Sequence, residues 1–272
     1  TGATALLVAA LVERGRVGGT VDDELLGALG ATLTATVDAR GRVAADIAVA
    51  TGPVRTRTSP FFPGEVAWAL ARLDTRLPGR GFGETADRVL AWVITERDEV
   101  ERPWPPVSDH WAAYARAERA AAGAAVPEGV DDAALTAWRG RQLGLFGLQV
   151  RYESQKTGGV TRWTRGPVAM AAGVGTLGEG LGRWLEVDAA TGELGGDRAV
   201  VEERLVCVAA LLVARQVDEA EAAAEPEPAR VAGAWFRQGR TRIDDQQHAL
   251  SALLAARPVL ARRAALGEGG RP

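Results

Sequence analysis

Apolar residues recur along most of the chain with the three- and four-residue spacing of helices, and polar or glycine-rich segments separate them. Val89, Leu90 and Val93, for example, mark one face of a predicted helix. Short strands are predicted only within 40–48 and at 234–236. Polar loops are predicted at 154–165 and 219–230, and helices over residues 3–14, 21–37, 61–73, 85–97, 108–117, 131–151, 167–185, 197–217, 244–255 and 256–266.

The predicted helices are of two kinds that alternate along the chain. One kind opens with aromatic and polar residues and continues in Ala and Gly, whereas the other carries Arg and Glu on its outer face. This alternation indicates a repeat of helical hairpins. We therefore predict an all-α protein, with one domain over 1–266 and a frayed tail over 267–272. The first kind begins near Ala3, Pro63, Asp109, Pro167 and Asp244, and the second near Val21, Thr85, Asp131, Asp197 and Ala256.

The segment 240–255 begins as a dense polar cluster and continues as a small apolar helix. Asp244 and Asp245 precede His248 by four and three residues, so on a helix both carboxylates neighbour the imidazole. A buried helix with this opening is typical of a pocket wall. The same residues would also suit plain structural roles, as first-turn charges and as a histidine bonded within its own helix.

Three segments carry a resemblance to a known superfamily: Phe62-Pro-Gly-Glu-Val-Ala-Trp-Ala-Leu-Ala-Arg-Leu73, Ser108-Asp-His-Trp-Ala-Ala-Tyr114 and Arg242-Ile-Asp-Asp-Gln-Gln-His-Ala-Leu-Ser-Ala-Leu253. With the hairpin repeat they resemble the α/α-toroid superfamily. Its members include six-hairpin glycosidases, N-acylglucosamine epimerase-like proteins, glucuronyl epimerase-like helical domains and terpenoid-cyclase-like barrels. The resemblance implies a ring of about five to six helical hairpins, with minor β structure in loops.

In such a ring the inner helices run parallel, so their N-terminal ends meet at one mouth. Free amide groups and positive helix-dipole ends point there, and arginines add positive charge, so the mouth should favour an anion. Aromatic planes suit a sugar ring, and arginine binds a carboxylate bidentately. The predicted catalytic residues are Asp244, Asp245, His248, Asp109, His110 and Glu65, and the predicted substrate-binding residues are Arg162, Arg165, Arg242, Trp111, Tyr114 and Trp163.

These residues predict a carbohydrate-processing domain that uses acid/base chemistry on an anionic, uronate-like sugar or oligosaccharide. Hydrolysis, elimination and epimerisation all stay open as reactions. One alternative is a non-catalytic helical scaffold that binds a glycan, a peptide or a partner protein. A second is a terpenoid-cyclase-like barrel, against which the aromatic content of 6% argues.

Composition narrows the remaining possibilities. The net charge of −3 gives no sign of nucleic-acid binding. No paired-histidine metal motif occurs, and the glycine-rich run 173–182 lacks a phosphate-loop lysine, so we expect neither a metal nor a cofactor. No apolar run is long enough to span a membrane. A start at Thr1 leaves open both a cytoplasmic location and export with an upstream segment removed.

Overall fold

The computed structural model describes residues 1–102, 106–237 and 239–267. Helices make up 67% of the structure, which confirms the predicted all-α fold class. Among the described residues there is one small sheet, in which β1 (Asp46–Ala48) pairs antiparallel with β2 (Gly52–Val54). The helices are α1 Gly2–Arg16, α2 Asp23–Thr36, α3 Phe62–Arg76, α4 Phe82–Thr95, α5 Arg97–Glu101, α6 His110–Ala121, α7 Asp132–Ser154, α8 Gly159–Arg165, α9 Ala171–Thr191, α10 Arg198–Val213, α11 Glu219–Ala222, α12 Pro228–Val231 and α13 Ile243–Ala265.

The chain divides into two compact units. The first unit consists of residues 1–142 with 189–192, and the second consists of 143–188 with the residues from 193 onward. The single toroidal domain over 1–266 stays a prediction. Of the tail at 267–272, residues 268–272 lie outside the described residues.

Helix α3 forms the centre of the first unit, where it packs against α1, α4 and α6. Its side chains Val66, Leu70 and Leu73 are fully buried. Gly64 lies so close to α6 that a Cβ there would come within 2.6 Å of the main-chain nitrogen of Ala112. This close approach requires a residue without a side chain, and it brings the first turns of α3 and α6 together.

In the second unit, helix α9 uses its glycines to approach its neighbours. A Cβ on Gly178 would meet the Cβ of Ala252 on α13 at 2.6 Å, and one on Gly182 would meet the Cβ of Ala255 at the same distance. A Cβ on Gly180 would overlap the ring of Phe146 on α7. The glycine-rich segment is therefore a tightly packed helix, as the sequence predicts.

Four sequence-based predictions of local structure are wrong. The predicted loop 219–230 contains α11 and the start of α12. Residues 256–266 are not a separate helix, because α13 continues through Pro258 and buries Ala256 and Val259. The fifth predicted hairpin is thus one long helix. The predicted loop 154–165 contains α8, and the predicted strand 234–236 is irregular because the side chain of Gln246 holds both main-chain polar groups of Trp235.

No helix in the described part of the chain is both long enough and apolar enough to cross a bilayer.

Candidate functional site

Asp109 begins α6 in the first unit and is held by hydrogen bonds on every side. Its Oδ1 caps the helix by accepting from the Ala112 amide at 2.9 Å, and its Oδ2 pairs with the fully buried guanidinium of Arg97. Its own main-chain N–H donates to Gln142 Oε1 at 2.8 Å. The capping role that the sequence allows for Asp109 is therefore present, and its carboxylate is already occupied by structural partners.

Glu65, in the first turn of α3, is a buried carboxyl group with very different surroundings. It is 7% exposed, and its Oε2 has no hydrogen-bond partner within the part of the chain that the structure describes. Burial, together with the negative charge of Asp109, raises the pKa of Glu65 to about 7. Such a group can release or take up a proton near neutral pH, which suits a general acid or base.

Aromatic rings pack beside these carboxyl groups. Trp68 lies 5.3 Å from Trp111 and 4.8 Å from Tyr114, measured between ring centroids. The ring of His110 lies 4.5 Å from that of Trp111, with the two planes tilted by 39°. His110, Trp111 and Tyr114 are each less than a tenth exposed. The first unit thus gathers five of the predicted site residues, and their rings largely cover one another.

In the second unit, His248 lies between two carboxylates. Its Nδ1 lies 2.7 Å from Glu179 Oε2 on α9, and its Nε2 lies 3.2 Å from Asp244 Oδ1 on its own helix. Burial by itself would lower the pKa of His248, but the hydrogen bonds and charges of Glu179 and Asp244 raise it above the ordinary value. The imidazole is therefore held as a cation over a wider pH range than a free histidine.

Asp245 connects the start of α13 to the start of α9. Its Oδ1 accepts from the Ala172 amide at 3.1 Å, and its Oδ2 lies 3.3 Å from Arg242 Nε. Arg242 also reaches Asp244 Oδ2 at 3.1 Å. A continuous series of polar contacts therefore runs from the buried Glu179 through His248, Asp244 and Arg242 to Asp245.

Asp245 also lines a pocket of about 280 Å³, the arginine pocket. Its walls come from α8, the segment before α9, the residues that follow α10, α11, residues 235–237 and the first turn of α13. Arg162 and Arg237 form no ion pair with any described residue, whereas Arg215 is held by Glu153 at 3.1 Å. The remaining polar and apolar lining includes Gln216, Glu221, Met170, Trp235 and Phe236.

The other predicted binding residues of the second unit lie outside this lining. Arg165 bonds to Gln155 and lies over the ring of Tyr152. Trp163 is 86% exposed, and Arg242 contacts the pocket only through Asp245 and Met170. Of the predicted site residues, Arg162 and Asp245 line the pocket. The prediction that residues of both units line one mouth stays a prediction, as does the absence of a metal and a cofactor.

Sequence reasoning did not select Arg215, Arg237, Trp235 or Glu179 for the site. Arg215 and Arg237 look like the many other arginines of this chain. Glu179 offered one signal, because a carboxylate among glycines on an inner helix is hard to explain as a solvated side chain.

Comparisons with known protein families, with curated proteins and with solved structures found no match to this chain. The toroid arrangement therefore rests on the sequence resemblance alone.

Proposed function

We propose that the protein binds a small anionic sugar, of the uronate class, in the arginine pocket and processes it by acid/base chemistry. The observation that carries this proposal is the pocket lining. Two arginines that pair with no carboxylate of the described residues face the same space as a buried carboxylate and two aromatic side chains. Arginine suits a carboxylate, aromatic rings suit the face of a sugar, and Asp245 can accept from hydroxyl groups.

The size of the pocket supports a ligand of one sugar unit. Pockets for drug-sized ligands enclose roughly 300–1,000 Å³, and the volume here, about 280 Å³, lies just below that range. Two helices, α9 and α13, begin at the pocket and direct their positive ends toward it. Both the shape and the charge therefore favour a compact anion.

The acid/base groups of the proposal are Asp245, on the pocket wall, and His248, one turn further along α13. The raised pKa of His248 favours its protonated form, and its Nε2 atom faces the half-exposed Asp244 side chain, whose place a ligand would take. Hydrolysis, elimination and epimerisation each need such a proton donor or acceptor. Turnover experiments with a substrate for each reaction therefore distinguish among the three.

The first test is binding of glucuronate and galacturonate, measured by isothermal titration calorimetry with glucose as the neutral comparison. We expect both uronates to bind and glucose to bind much more weakly. Removal of two guanidinium groups in the double variant Arg162→Ala/Arg237→Ala should weaken uronate binding by about tenfold or more, which corresponds to about 1.4 kcal/mol. Arg230→Ala is the matched control, because Arg230 is exposed and lies outside the pocket lining.

Equal binding of glucose and glucuronate, or wild-type affinity in the double variant, would contradict the proposal. Turnover is then tested in two ways. Aryl glucuronides report hydrolysis, and NMR detects the unsaturated products of elimination or the epimerised products of epimerisation. Binding without any turnover would favour the second candidate, a non-catalytic glycan-binding scaffold. The exposure of Arg162 and Arg237 supports that candidate too, because exposed arginines also suit simple anion capture. A cyclase-like function for an apolar substrate gains no support from this charged pocket.

A further inference from the structure

Glu179 is a carboxylate in an unusual position on α9. It is 1% exposed and lies between Gly178 and Gly180 on a helix whose buried face is mostly glycine and aliphatic. Burying a carboxylate costs several kcal/mol unless charged or polar partners compensate. Packing of an apolar helix does not require a carboxylate, so the reason for Glu179 should lie in the groups that it contacts.

The partners of Glu179 in the second unit both come from α13. Its Oε2 lies 2.7 Å from His248 Nδ1, and its Oε1 accepts from Gln247 Nε2 at 3.1 Å. The close approach of the two helices makes this possible. A Cβ on Gly175 would overlap the main-chain carbonyl of His248, so glycine at this position lets the carboxylate reach the ring.

The two nitrogen atoms of His248 therefore have different surroundings. Nδ1 faces the buried Glu179, whereas Nε2 faces Asp244, whose side chain is 48% exposed. The partner of Nδ1 is thus fully buried, whereas the partner of Nε2 is half exposed. This difference favours Nε2 as the nitrogen that exchanges its proton.

We propose that Glu179 is the positioning residue for His248: it holds the Nδ1–H and orients the ring so that Nε2 exchanges the proton with the ligand. The inference rests on the acid/base role of His248 in the proposed function. In the exchange step Nε2–H gives its proton to the ligand, the electron pair stays on Nε2, and the ring becomes neutral with its remaining proton on Nδ1. Reversal of this step lets the neutral ring act as the base.

The test follows the two histidines of the protein by NMR in the absence of any ligand. The variants His110→Asn and His248→Asn assign the two sets of ring signals. We expect His248 in the wild type to titrate above the ordinary histidine pKa, and its neutral form to carry the proton on Nδ1. In Glu179→Gln the negative charge is lost, so the pKa of His248 should fall below the wild-type value.

Two further variants make the result specific. Glu186→Gln removes an exposed carboxylate from the same helix and should leave the pKa of His248 unchanged. Glu179→Asp keeps the charge and should retain a raised pKa. An Nε2-protonated neutral ring in the wild type, or an unchanged pKa in a folded Glu179→Gln variant, would overturn the inference. The wild-type measurement decides the tautomer even if Glu179→Gln fails to fold.

These measurements separate the inference from the proposed function. If no uronate binds, the proposed function fails, but the NMR result for Glu179 and His248 still stands. If the pKa of His248 is unchanged in Glu179→Gln, the inference fails, but the binding measurements at the pocket still stand. Where turnover is found, Glu179→Gln should lower kcat by roughly tenfold or more with little change in KM. That loss is a part of the 10²–10⁴-fold that positioned proton transfer contributes.

Discussion

Glu65 and Glu153 are both buried carboxyl groups, yet their surroundings shift their pKa values in opposite directions. Burial and the charge of Asp109 raise the pKa of Glu65 to about 7. Burial would also raise the pKa of Glu153, but hydrogen bonds from Lys156 and the Ala169 amide, with the charge of Arg215, lower it overall. The difference is one of partners, because Glu153 accepts hydrogen bonds and lies beside two cations, whereas the N-terminal ammonium group offsets only a part of the rise at Glu65.

The raised pKa of Glu65 predicts a pH-dependent stability. Its protonated form is favoured by folding, so the stabilising contribution is complete below the unfolded pKa of about 4.5 and is lost as the pH rises through about 7. Between pH 5 and pH 8 we expect the free energy of unfolding to fall by about 2–3 kcal/mol on this account. Urea unfolding of the wild type and of Glu65→Gln at both pH values measures this, and the variant should lack that part of the decrease.

Glu84→Gln serves as the comparison for Glu65→Gln. Glu84 occupies the first turn of α4, as Glu65 does in α3, but it is exposed. Its replacement should keep the wild-type pH dependence. The same pH dependence in Glu65→Gln and in the wild type would show that Glu65 does not titrate in this range.

Among the elements, α7 and α9 each contain a glycine, but the space around the two glycines differs. Gly178 on α9 faces Ala252 and Val208 at distances that leave no room for a side chain. Gly144 on α7 has open space around it. Only the first of these glycines is required by packing.

We therefore expect alanine to act in opposite directions at these two positions. Gly178→Ala should lower the free energy of unfolding by about 1–3 kcal/mol, because the new methyl group forces α9 away from its neighbours. Gly144→Ala should raise it by about 0.5–1 kcal/mol, because alanine favours a helix. Thermal or urea unfolding of both variants checks the pair, and a stabilising Gly178→Ala would refute the close packing of α9.

On the scale of the molecule, Glu153 connects segments of the second unit that are distant in sequence. It pairs with Lys156 at 2.5 Å and with Arg215 at 3.1 Å, and it accepts from the Ala169 amide at 3.0 Å. The end of α7, the segment before α9 and the segment after α10 therefore meet at one carboxylate. The same contacts hold Arg215 and Ala169 in the wall of the arginine pocket.

Removal of this carboxylate should destabilise the second unit strongly. Glu153→Leu leaves the buried Lys156 and the partly buried Arg215 without their carboxylate, which should cost about 3–5 kcal/mol in urea unfolding. Glu227→Gln breaks an exposed pair with Arg230 and should cost less than about 1 kcal/mol. If the two variants were equally stable, Glu153 could not be the residue that joins these segments.

Several features of the whole molecule were predictable from the sequence because they depend on local spacing. Helical periodicity predicts the all-α class, and the contact between Asp244 and His248 follows from four residues of helix rise. Asp109 caps α6 as its residue type suggests. The continuation of α13 through Pro258 escaped prediction, because burial of the flanking residues outweighs the local preference to stop.

By itself the sequence determined most of the longer helices, the cap of α6 and the pairing of Asp244 with His248, since these contacts depend on a few adjacent backbone angles. Only the tertiary structure decided that Glu179 meets His248, that Arg97 meets Asp109, and that Arg215 rather than Arg165 lines the pocket. Such contacts depend on how far apart two packed helices lie and how they are rotated. Those quantities are set by the glycine and alanine contacts between the helices, so no spacing along the chain can reveal them.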